Sequence, residues 1–199
     1  MNLEEHVAGW SALHGGLAPS PLVRRYLAAV HRLAVPVART GVHPDLLTVA
    51  SLAVAVPVLW VPAWVAGLLV LLSLLLDALD GSVALVQGRP TSWGYVLDSV
   101  VDRLVDLLIV AALVVAGAPA GLGIACATGV VLLEYTRARA GNAGGSEVVT
   151  VTVAERPVRV LVPASGLLIG LPAAALVVLT SLTAAALVQL LVAVRRQLG

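Results

Sequence analysis

Five aspartates stand in an otherwise strongly apolar part of the chain. They are Asp77, Asp80, Asp98, Asp102 and Asp106. The first two are three residues apart and the last three step by four, and residues at these spacings share one face of a helix. The sequence therefore predicts two helices that each carry a stripe of carboxylates.

The two predicted stripes lie on either side of a short loop that contains Arg89. Asp80 and Asp98 are each nine residues from Arg89, and Asp77 and Asp102 are twelve and thirteen residues away. In an antiparallel pair of helices, equal separations from the loop correspond to equal depths. We therefore expect these four carboxylates to face one another in two layers.

Carboxylates placed this close together repel one another unless a cation lies among them. Oxygen-only ligands favour a hard divalent ion such as Mg²⁺ or Mn²⁺, and such an ion in a membrane-embedded carboxylate cluster indicates phosphate chemistry. The competing interpretation is that the aspartates pair with arginines and hold helices together, but Arg103 is the one arginine inside the two predicted helices that carry them. Asp106 is left out of the predicted site, because it either pairs with Arg103 or extends the stripe.

The composition places these helices in a membrane. Of the 199 residues, 60% are hydrophobic and 12% are charged, whereas a soluble domain averages roughly 25% charged residues. Six apolar segments are long enough to cross a hydrocarbon core of about 30 Å. They cover residues 46–61, 62–86, 92–115, 121–137, 158–171 and 172–194. We expect an all-α polytopic membrane protein with six transmembrane helices, with a kink near Gly170 in one long helix as the alternative to the last division.

The charges are segregated along this pattern. Apart from Arg103, the arginines lie before the first span, after the last span, or in the loops that follow the second and fourth spans, with Arg137 and Arg159 at the ends of the adjoining spans; the other loops carry no charge. The positive-inside rule then places both termini and the predicted site on the cytoplasmic side. We expect a protein of the bacterial cytoplasmic membrane without a signal peptide. The net charge of +1, distributed in this way, indicates no nucleic-acid partner.

Residues 1–42 are predicted to form a cytoplasmic segment ahead of the membrane domain at residues 43–199. Apolar residues recur in this segment at helical spacing, among arginines. The apolar residues are Leu22, Tyr26, Val30 and Leu33, and the arginines are Arg24, Arg25, Arg32 and Arg39. This pattern predicts an N-terminal juxtamembrane amphipathic helix that lies on the membrane surface.

The spacing of the acidic residues resembles the signature of the CDP-alcohol phosphotransferase family, D-x2-D-G-x2-A-R-x8-G-x3-D-x3-D. Seven of its eight fixed positions match with every gap correct, and the exception is Leu85, where the family has Arg. The segment HPDLLT, from His43 to Thr48, is similar to the family's P-N-x-x-T motif at the start of the first span, with Asp45 in place of Asn. The resemblance covers the chain from about residue 41 onward.

This resemblance implies transfer of a phosphoalcohol group from a CDP-alcohol to a second alcohol, with release of CMP. It implies Mg²⁺ or Mn²⁺ on the donor diphosphate, held by Asp77, Asp80 and Asp98. Asp102 would be the general base that takes the proton of the acceptor hydroxyl. Small residues would make room for the cytidine nucleotide, namely Gly81, Ala84 and Gly94. Members of the family are commonly homodimers, so a homodimer is expected.

Leu85 leaves the handling of the donor open. Arg89 lies one helical turn further along and is, as a hypothesis, the substitute that binds the CDP-alcohol donor; the alternative is an ordinary loop arginine placed by the positive-inside rule. A catalytically impaired relative is a second possibility. An ion-coupled transporter is a third, since intramembrane aspartates also mark ion pathways, but the sequence shows no paired half-repeat.

Two segments around the loop after the fourth span are similar to the bacterial phosphatidylinositol-phosphate synthase subgroup, namely YTRARA at residues 135–140 and AERPVR at residues 154–159. By that resemblance, the phosphate of the acceptor is bound by Arg137, Arg139 and Arg156, whose forked donors suit phosphate. Positive-inside bias alone also explains a basic loop, and Arg159 could equally contact lipid headgroups.

The favoured partners are therefore CDP-diacylglycerol as the lipid donor, entering laterally between helices, and inositol phosphate as the acceptor. Glycerol phosphate or another phosphorylated polyol is the neighbouring alternative.

Overall fold

The computed structural model describes residues 1–13, 16, 18–144 and 151–198, and the regular secondary structure of these residues is entirely helical. The α-helices are α1 (Leu3–Leu13), α2 (Pro21–Arg39), α3 (Pro44–Ala55), α4 (Ala63–Gln87), α5 (Ser92–Val115), α6 (Ala120–Gly144), α7 (Arg156–Leu168) and α8 (Pro172–Leu198). A short 3-10 helix, Val56–Leu59, follows α3. The predicted all-α class is confirmed.

Each of the six predicted apolar segments coincides with helical structure, from α3 and its 3-10 extension through to α8. The break near Gly170 is confirmed as two helices, and Gly170 has a φ of +74°, a left-handed conformation that glycine adopts readily. By length and apolarity, α4 and α8 are the candidate membrane spans of the described chain, and the bent pair Val23–Arg39 with Pro44–Leu59 is a third candidate. The number of six spans stays a prediction.

The chain forms two compact units. Unit 1 comprises Met1–Leu52 with Ser73–Asp102, and unit 2 comprises Ala53–Leu72 with Arg103–Gly199. The predicted division at residue 42, between an N-terminal segment and a membrane domain, stays a prediction.

In unit 1, α2 packs against the second half of α4. The buried contacts are made by Val30 and Ala34 of α2 and by Leu79 and Val83 of α4. The Gln87 amide donates hydrogen bonds of 3.2 and 2.9 Å to the carbonyl oxygens of Ala38 and Val42. These bonds fix the end of α2 against the end of α4.

The buried face of α2 differs from the predicted stripe. Leu27, Val30 and Ala34 are buried, whereas Tyr26 and Leu33 are exposed, and the Leu22 side chain lies outside the described part. The exposed apolar residues therefore share the outer surface of α2 with its arginines. The location of α2 on the membrane surface stays a prediction. The outer surface of α2, with its apolar residues and arginines, suits that location.

The first helix, α1, also belongs to the core of unit 1. His6 is fully buried; its Nε2 lies 3.5 Å from Oγ of Ser82, and its ring lies 4.9 Å from the ring of His31. A methyl group added at Gly9 would lie 3.1 Å from Cδ2 of Leu85. The apolar residue that replaces the motif arginine therefore packs against α1.

Unit 2 is held together by close packing of α6, α7 and α8. Leu133 and Ala140 of α6 are buried with Ala186 and Leu190 of α8. A methyl group added at Gly129 would lie 3.1 Å from Cγ2 of Thr183. Small residues at such places let helices approach closely.

Because His6 is buried, we expect the docking of α1 to depend on pH. Burial, with the nearby His31 adding to it, lowers the pKa of His6 below its ordinary value of 6.5. The folded state then binds fewer protons than the unfolded state, so stability is lost as the pH falls below 6.5. We expect α1 to exchange its amide hydrogens faster at about pH 5 than at about pH 8, after correction for the intrinsic rate.

Hydrogen–deuterium exchange of residues 3–13 measures this effect. His6→Gln should remove the pH dependence, and His43→Gln, at an exposed imidazole, should retain it. Equal protection of α1 in the wild type at both pH values would contradict the prediction.

Candidate functional site

Three of the predicted aspartates meet in unit 1. Asp77 of α4 and Asp98 and Asp102 of α5 are half-buried, and each offers a carboxylate oxygen within 4.8 Å of the other two. These three residues are called the acidic cluster. Its oxygen-only donors fit a hard divalent ion.

A tight turn brings the two helices of the acidic cluster back along each other. Gly88 has a φ of +65°, and the amides of Gly88 and Arg89 donate to the carbonyl oxygens of Leu85 and Ala84 at 3.0 and 2.9 Å. This is the bonding that ends a helix at a left-handed glycine. The hydroxyl of Thr91 then accepts a 2.9 Å hydrogen bond from the Gly94 amide and caps the start of α5.

Asp80 lies outside the acidic cluster as the structure has it. It is buried at 6% exposure, its Oδ2 accepts a hydrogen bond from the Thr48 hydroxyl, and its Oδ1 accepts one from the Gly81 amide. The charges of Asp98 and Asp77 are close enough to interact with it. Its predicted role as a metal ligand stays a prediction.

Thr48 is a site residue that the sequence pattern left without a role. It closes the HPDLLT segment, and nothing in that segment indicates that its partner lies 32 residues further on. By donating to Asp80, Thr48 fixes the orientation of a buried carboxylate.

The residues predicted to make room for the nucleotide have unequal surroundings. Gly81 is exposed, and a methyl group added there would meet no atom within 4 Å. At Gly94 the same group would lie 3.1 Å from Oγ1 of Thr91 and 3.5 Å from Oδ1 of Asp45. Ala84 is half-buried, and Arg89 is exposed in the turn. Open space at the backbone is thus found at Gly81, whereas Gly94 serves local packing.

Unit 2 contains a second charged group, called the arginine network. Its members are Arg103, Asp106, Glu134, Arg137, Glu155, Arg156 and Arg159. In the part of the chain that the structure describes, these contacts bring four guanidinium groups close to three carboxylates.

Glu134 and Glu155 hold the arginines from two sides. Glu134 lies 3.2 Å from Arg103 and 2.8 Å from Arg159, and Glu155 accepts a 3.0 Å hydrogen bond from Arg137. Burial alone would raise the pKa of Glu155, but hydrogen bonds from Arg137 and Thr152 outweigh burial and hold that pKa below its ordinary value. Glu155 is therefore ionised when it holds Arg137.

The structure separates the predicted acceptor residues. Arg137 and Arg156 belong to the arginine network, whereas Arg139 is exposed and lies outside it. Arg159, with a side chain 3% exposed, is buried against Asp106 and Glu134, so contact with lipid headgroups is excluded for it. Asp106 does pair with Arg103, at 3.2 Å.

The chain is similar to known proteins over most of its length. The model of the CDP-alcohol phosphatidyltransferase family matches residues 41–198. The archaetidylinositol phosphate synthase of Aeropyrum pernix is 41% identical over 112 residues, which are 53% of this chain and 57% of that protein. The phosphatidylinositol phosphate synthase of Mycolicibacterium smegmatis is 40% identical over 99 residues, 43% of each chain. The chain spans about half the length of these relatives.

A solved structure has the same fold. It is the phosphatidylinositol phosphate synthase of Mycobacterium tuberculosis in complex with manganese and citrate, with a TM-score of 0.70 and 23% identity, covering 85% of this chain and 90% of that chain. The same protein with CDP-DAG bound has a TM-score of 0.67 and 23% identity, covering 83% and 92%.

The acidic cluster predicts a specific loss of metal affinity. Asp98→Asn removes a charged oxygen ligand, and we expect it to weaken Mn²⁺ binding by about tenfold or more. Isothermal titration of Mn²⁺ into the purified protein measures this effect. Asp45→Asn is the matched control, because it removes an aspartate outside the cluster, and it should bind Mn²⁺ as the wild type does. Equal Mn²⁺ affinity for the wild type and Asp98→Asn would rule out a metal site at the acidic cluster.

Proposed function

The chain belongs to the CDP-alcohol phosphatidyltransferase family, and we propose that it transfers a phosphatidyl group from CDP-diacylglycerol to a phosphorylated polyol and releases CMP. The observation that carries the proposal is the acidic cluster of Asp77, Asp98 and Asp102. Such a carboxylate set suits a diphosphate donor that is bound with Mg²⁺ or Mn²⁺. Inositol phosphate is the favoured acceptor, in line with the names of the relatives in Aeropyrum pernix and Mycolicibacterium smegmatis.

Asp77 and Asp98 are proposed as metal ligands on two grounds, the sequence pattern and their position in the acidic cluster. Asp80 is proposed as the third ligand. A carboxylate has about four acceptor positions, so Asp80 can accept from Thr48 and Gly81 and still face a cation. When bound there, Mg²⁺ or Mn²⁺ would neutralise charge on the donor diphosphate and on the leaving CMP.

Asp102 is proposed as the general base. It would take the proton of the acceptor hydroxyl while the hydroxyl oxygen forms a bond to the phosphorus that carries diacylglycerol. The bond from that phosphorus to the CMP oxygen breaks, and CMP leaves. Because a carboxylate has two oxygens, Asp102 can keep one oxygen in the acidic cluster and use the other for the proton.

The donor nucleotide is proposed to lie against the open backbone at Gly81, with Ala84 and Gly94 on neighbouring turns. Leu85 cannot bind phosphate and packs against Gly9 instead. Arg89 is exposed in the turn one helical step further on, and we assign it the donor phosphates in place of the missing motif arginine.

The acceptor phosphate is proposed to bind at Arg137, Arg139 and Arg156. The side chains of Arg137 and Arg156 are 29% and 14% exposed, so both can meet a ligand while remaining held by carboxylates. The forked donors of these guanidinium groups suit phosphate, which supports the assignment. Arg139 would join from its exposed position two residues beyond Arg137.

A position in the bacterial cytoplasmic membrane accompanies this function, with both termini and the site on the cytoplasmic side. The segregation of the arginines supports it. The lipid donor would enter laterally between helices, and the polar acceptor would come from the cytoplasm. A homodimer is proposed from the family resemblance alone.

Other functions have distinct signatures. Use of glycerol phosphate or another polyol phosphate would keep the chemistry and change the acceptor. A catalytically impaired relative would bind donor and metal without turnover, and Leu85 is the feature that motivates it. An ion-coupled transporter would move substrate across the membrane without releasing CMP.

CMP release tests the proposed reaction. Protein in nanodiscs, supplied with CDP-diacylglycerol and Mn²⁺, should release CMP when inositol phosphate is added, and more slowly with free inositol, which lacks the phosphate that the arginines bind. Asp102→Asn should lower kcat by about a hundredfold or more, because a general base contributes on that scale. Asp45→Asn, which carries the residue usual in the family, should stay active.

Two results would contradict this account. CMP release that needs no acceptor would point to hydrolysis, and undiminished release by Asp102→Asn would remove the general base. Donor binding without release for any acceptor, glycerol phosphate included, would favour the impaired relative.

The assignment of Arg89 predicts a change in donor affinity. Arg89→Ala should raise the Kd for CDP-diacylglycerol by about tenfold, the scale of one charge-assisted hydrogen bond. Arg25→Ala, at an exposed arginine of α2, is the matched control. Unchanged donor binding by Arg89→Ala in an active enzyme would show that Arg89 is an ordinary loop arginine.

A further inference from the structure

One buried carboxylate outside the predicted site is surrounded by guanidinium groups. The side chain of Asp106 is 3% exposed, and its oxygens lie 3.2 Å from Arg103, 3.7 Å from Arg156 and 3.3 Å from Arg159. Arg103 precedes Asp106 by one turn of α5, and the other two arginines belong to the first turn of α7. The carboxylate of Asp106 thus lies close to arginines from two helices, α5 and α7.

The side chains of the three arginines differ in their exposure. Arg159 is buried, and it also donates 2.8 and 2.9 Å hydrogen bonds to Glu134 and to the carbonyl oxygen of Ala154. Arg103 and Arg156 are more accessible, with side chains 23% and 14% exposed. Arg159 is therefore a fixed internal link, and the other two lie at the edge of the network.

The charges explain why this arrangement needs Asp106. Three guanidinium groups close together repel one another, and in a partly buried place that repulsion is weakly screened. Asp106 offsets part of this repulsion for all three groups, and Glu134 offsets a further part for Arg103 and Arg159. Removal of a buried partner charge leaves uncompensated cations, which move apart or draw in water.

We propose that Asp106 is a positioning residue that holds Arg103 and Arg156 on one carboxylate as a binding site for the phosphate of the acceptor. This inference rests on the proposed function for the identity of the ligand. It makes Arg103 a phosphate-binding residue that the sequence pattern does not indicate. Asp106 acts through the two arginines and does not touch the phosphate.

Titration with inorganic phosphate and with inositol phosphate tests this assignment without any turnover. The purified protein is kept in maltoside detergent, which carries no phosphate, with Mn²⁺ present. Asp106→Asn preserves the shape of the side chain and removes its charge, and it should raise the Kd for both ligands by about tenfold. The affinity for Mn²⁺ should be unchanged, whereas a general loss of structure would lower it as well.

A double-mutant cycle separates positioning from a merely structural role. If Asp106 acts through Arg156, the variant that combines Asp106→Asn with Arg156→Ala should bind phosphate no more weakly than Arg156→Ala alone. Additive losses would overturn the proposal, as would wild-type phosphate affinity in Asp106→Asn. A wild-type protein that binds neither ligand would overturn it too, even if that protein released CMP.

A further variant keeps the test open if Asp106→Asn does not fold. Arg103→Gln changes a partly exposed residue, and it should weaken phosphate binding by about tenfold while retaining Mn²⁺ affinity. Full phosphate affinity in Arg103→Gln would overturn the proposal.

A second arm of the titration distinguishes the acceptor from a lipid headgroup. Short-chain phosphatidylglycerol should displace phosphate less well than inositol phosphate does. Stronger displacement by the lipid would overturn the assignment to the acceptor. The protein could bind phosphate at Arg103 and Arg156 and yet release no CMP. That result would count against the proposed reaction and in favour of the phosphate site.

Discussion

Charge in apolar surroundings is the constraint on which this structure depends. A buried carboxylate or guanidinium is strongly unfavourable unless an opposite charge or a metal faces it. The chain meets this constraint in two ways. In unit 1, Asp77, Asp98 and Asp102 are grouped so that one divalent cation would serve all three. In unit 2, the carboxylates of Asp106 and Glu134 are matched by arginines of the same chain.

This difference divides one line of aspartates on α5 into two groups with different surroundings. Asp98, Asp102 and Asp106 step by four residues, and sequence spacing alone gives them equal status. Asp98 and Asp102 meet Asp77, whereas Asp106 meets arginines from α7. Helical periodicity shows which residues share a face, but the partners opposite that face come from distant parts of the chain. For the same reason, the hydrogen bond between Thr48 and Asp80 could not be predicted from the sequence.

The helical segments could be predicted from the sequence because apolar runs and their breaks at Gly and Pro are local properties. The number of membrane crossings could not, since α5 carries charged residues and α3 and α7 are short. The packing of α2 was not predicted. The sequence pattern indicated an apolar face turned to the membrane, whereas Val30 is buried against α4 and Leu33 is exposed.

Packing against the N-terminal region explains why an apolar residue, Leu85, stands where the family motif has arginine. The family match begins at residue 41, so α1 and α2 lie outside it. Leu85 packs against Gly9 of α1, and nearby Ser82 contacts the buried His6. An apolar side chain at position 85 therefore suits a chain in which α1 packs against this part of α4. A charged arginine there would have to displace α1 or turn away from it.

In the proposed reaction, the acidic cluster would hold a divalent ion on the diphosphate of a CDP-alcohol donor. Phosphorus-31 relaxation of bound CDP-diacylglycerol in the presence of Mn²⁺ tests it most directly, because a paramagnetic ion shortens the relaxation of phosphorus nuclei close to it. We expect strong relaxation of both donor phosphorus signals in the wild type, and loss of that effect in Asp98→Asn with the donor still bound. Equal relaxation in the two proteins, or none in the wild type at saturating Mn²⁺ and donor, would contradict it.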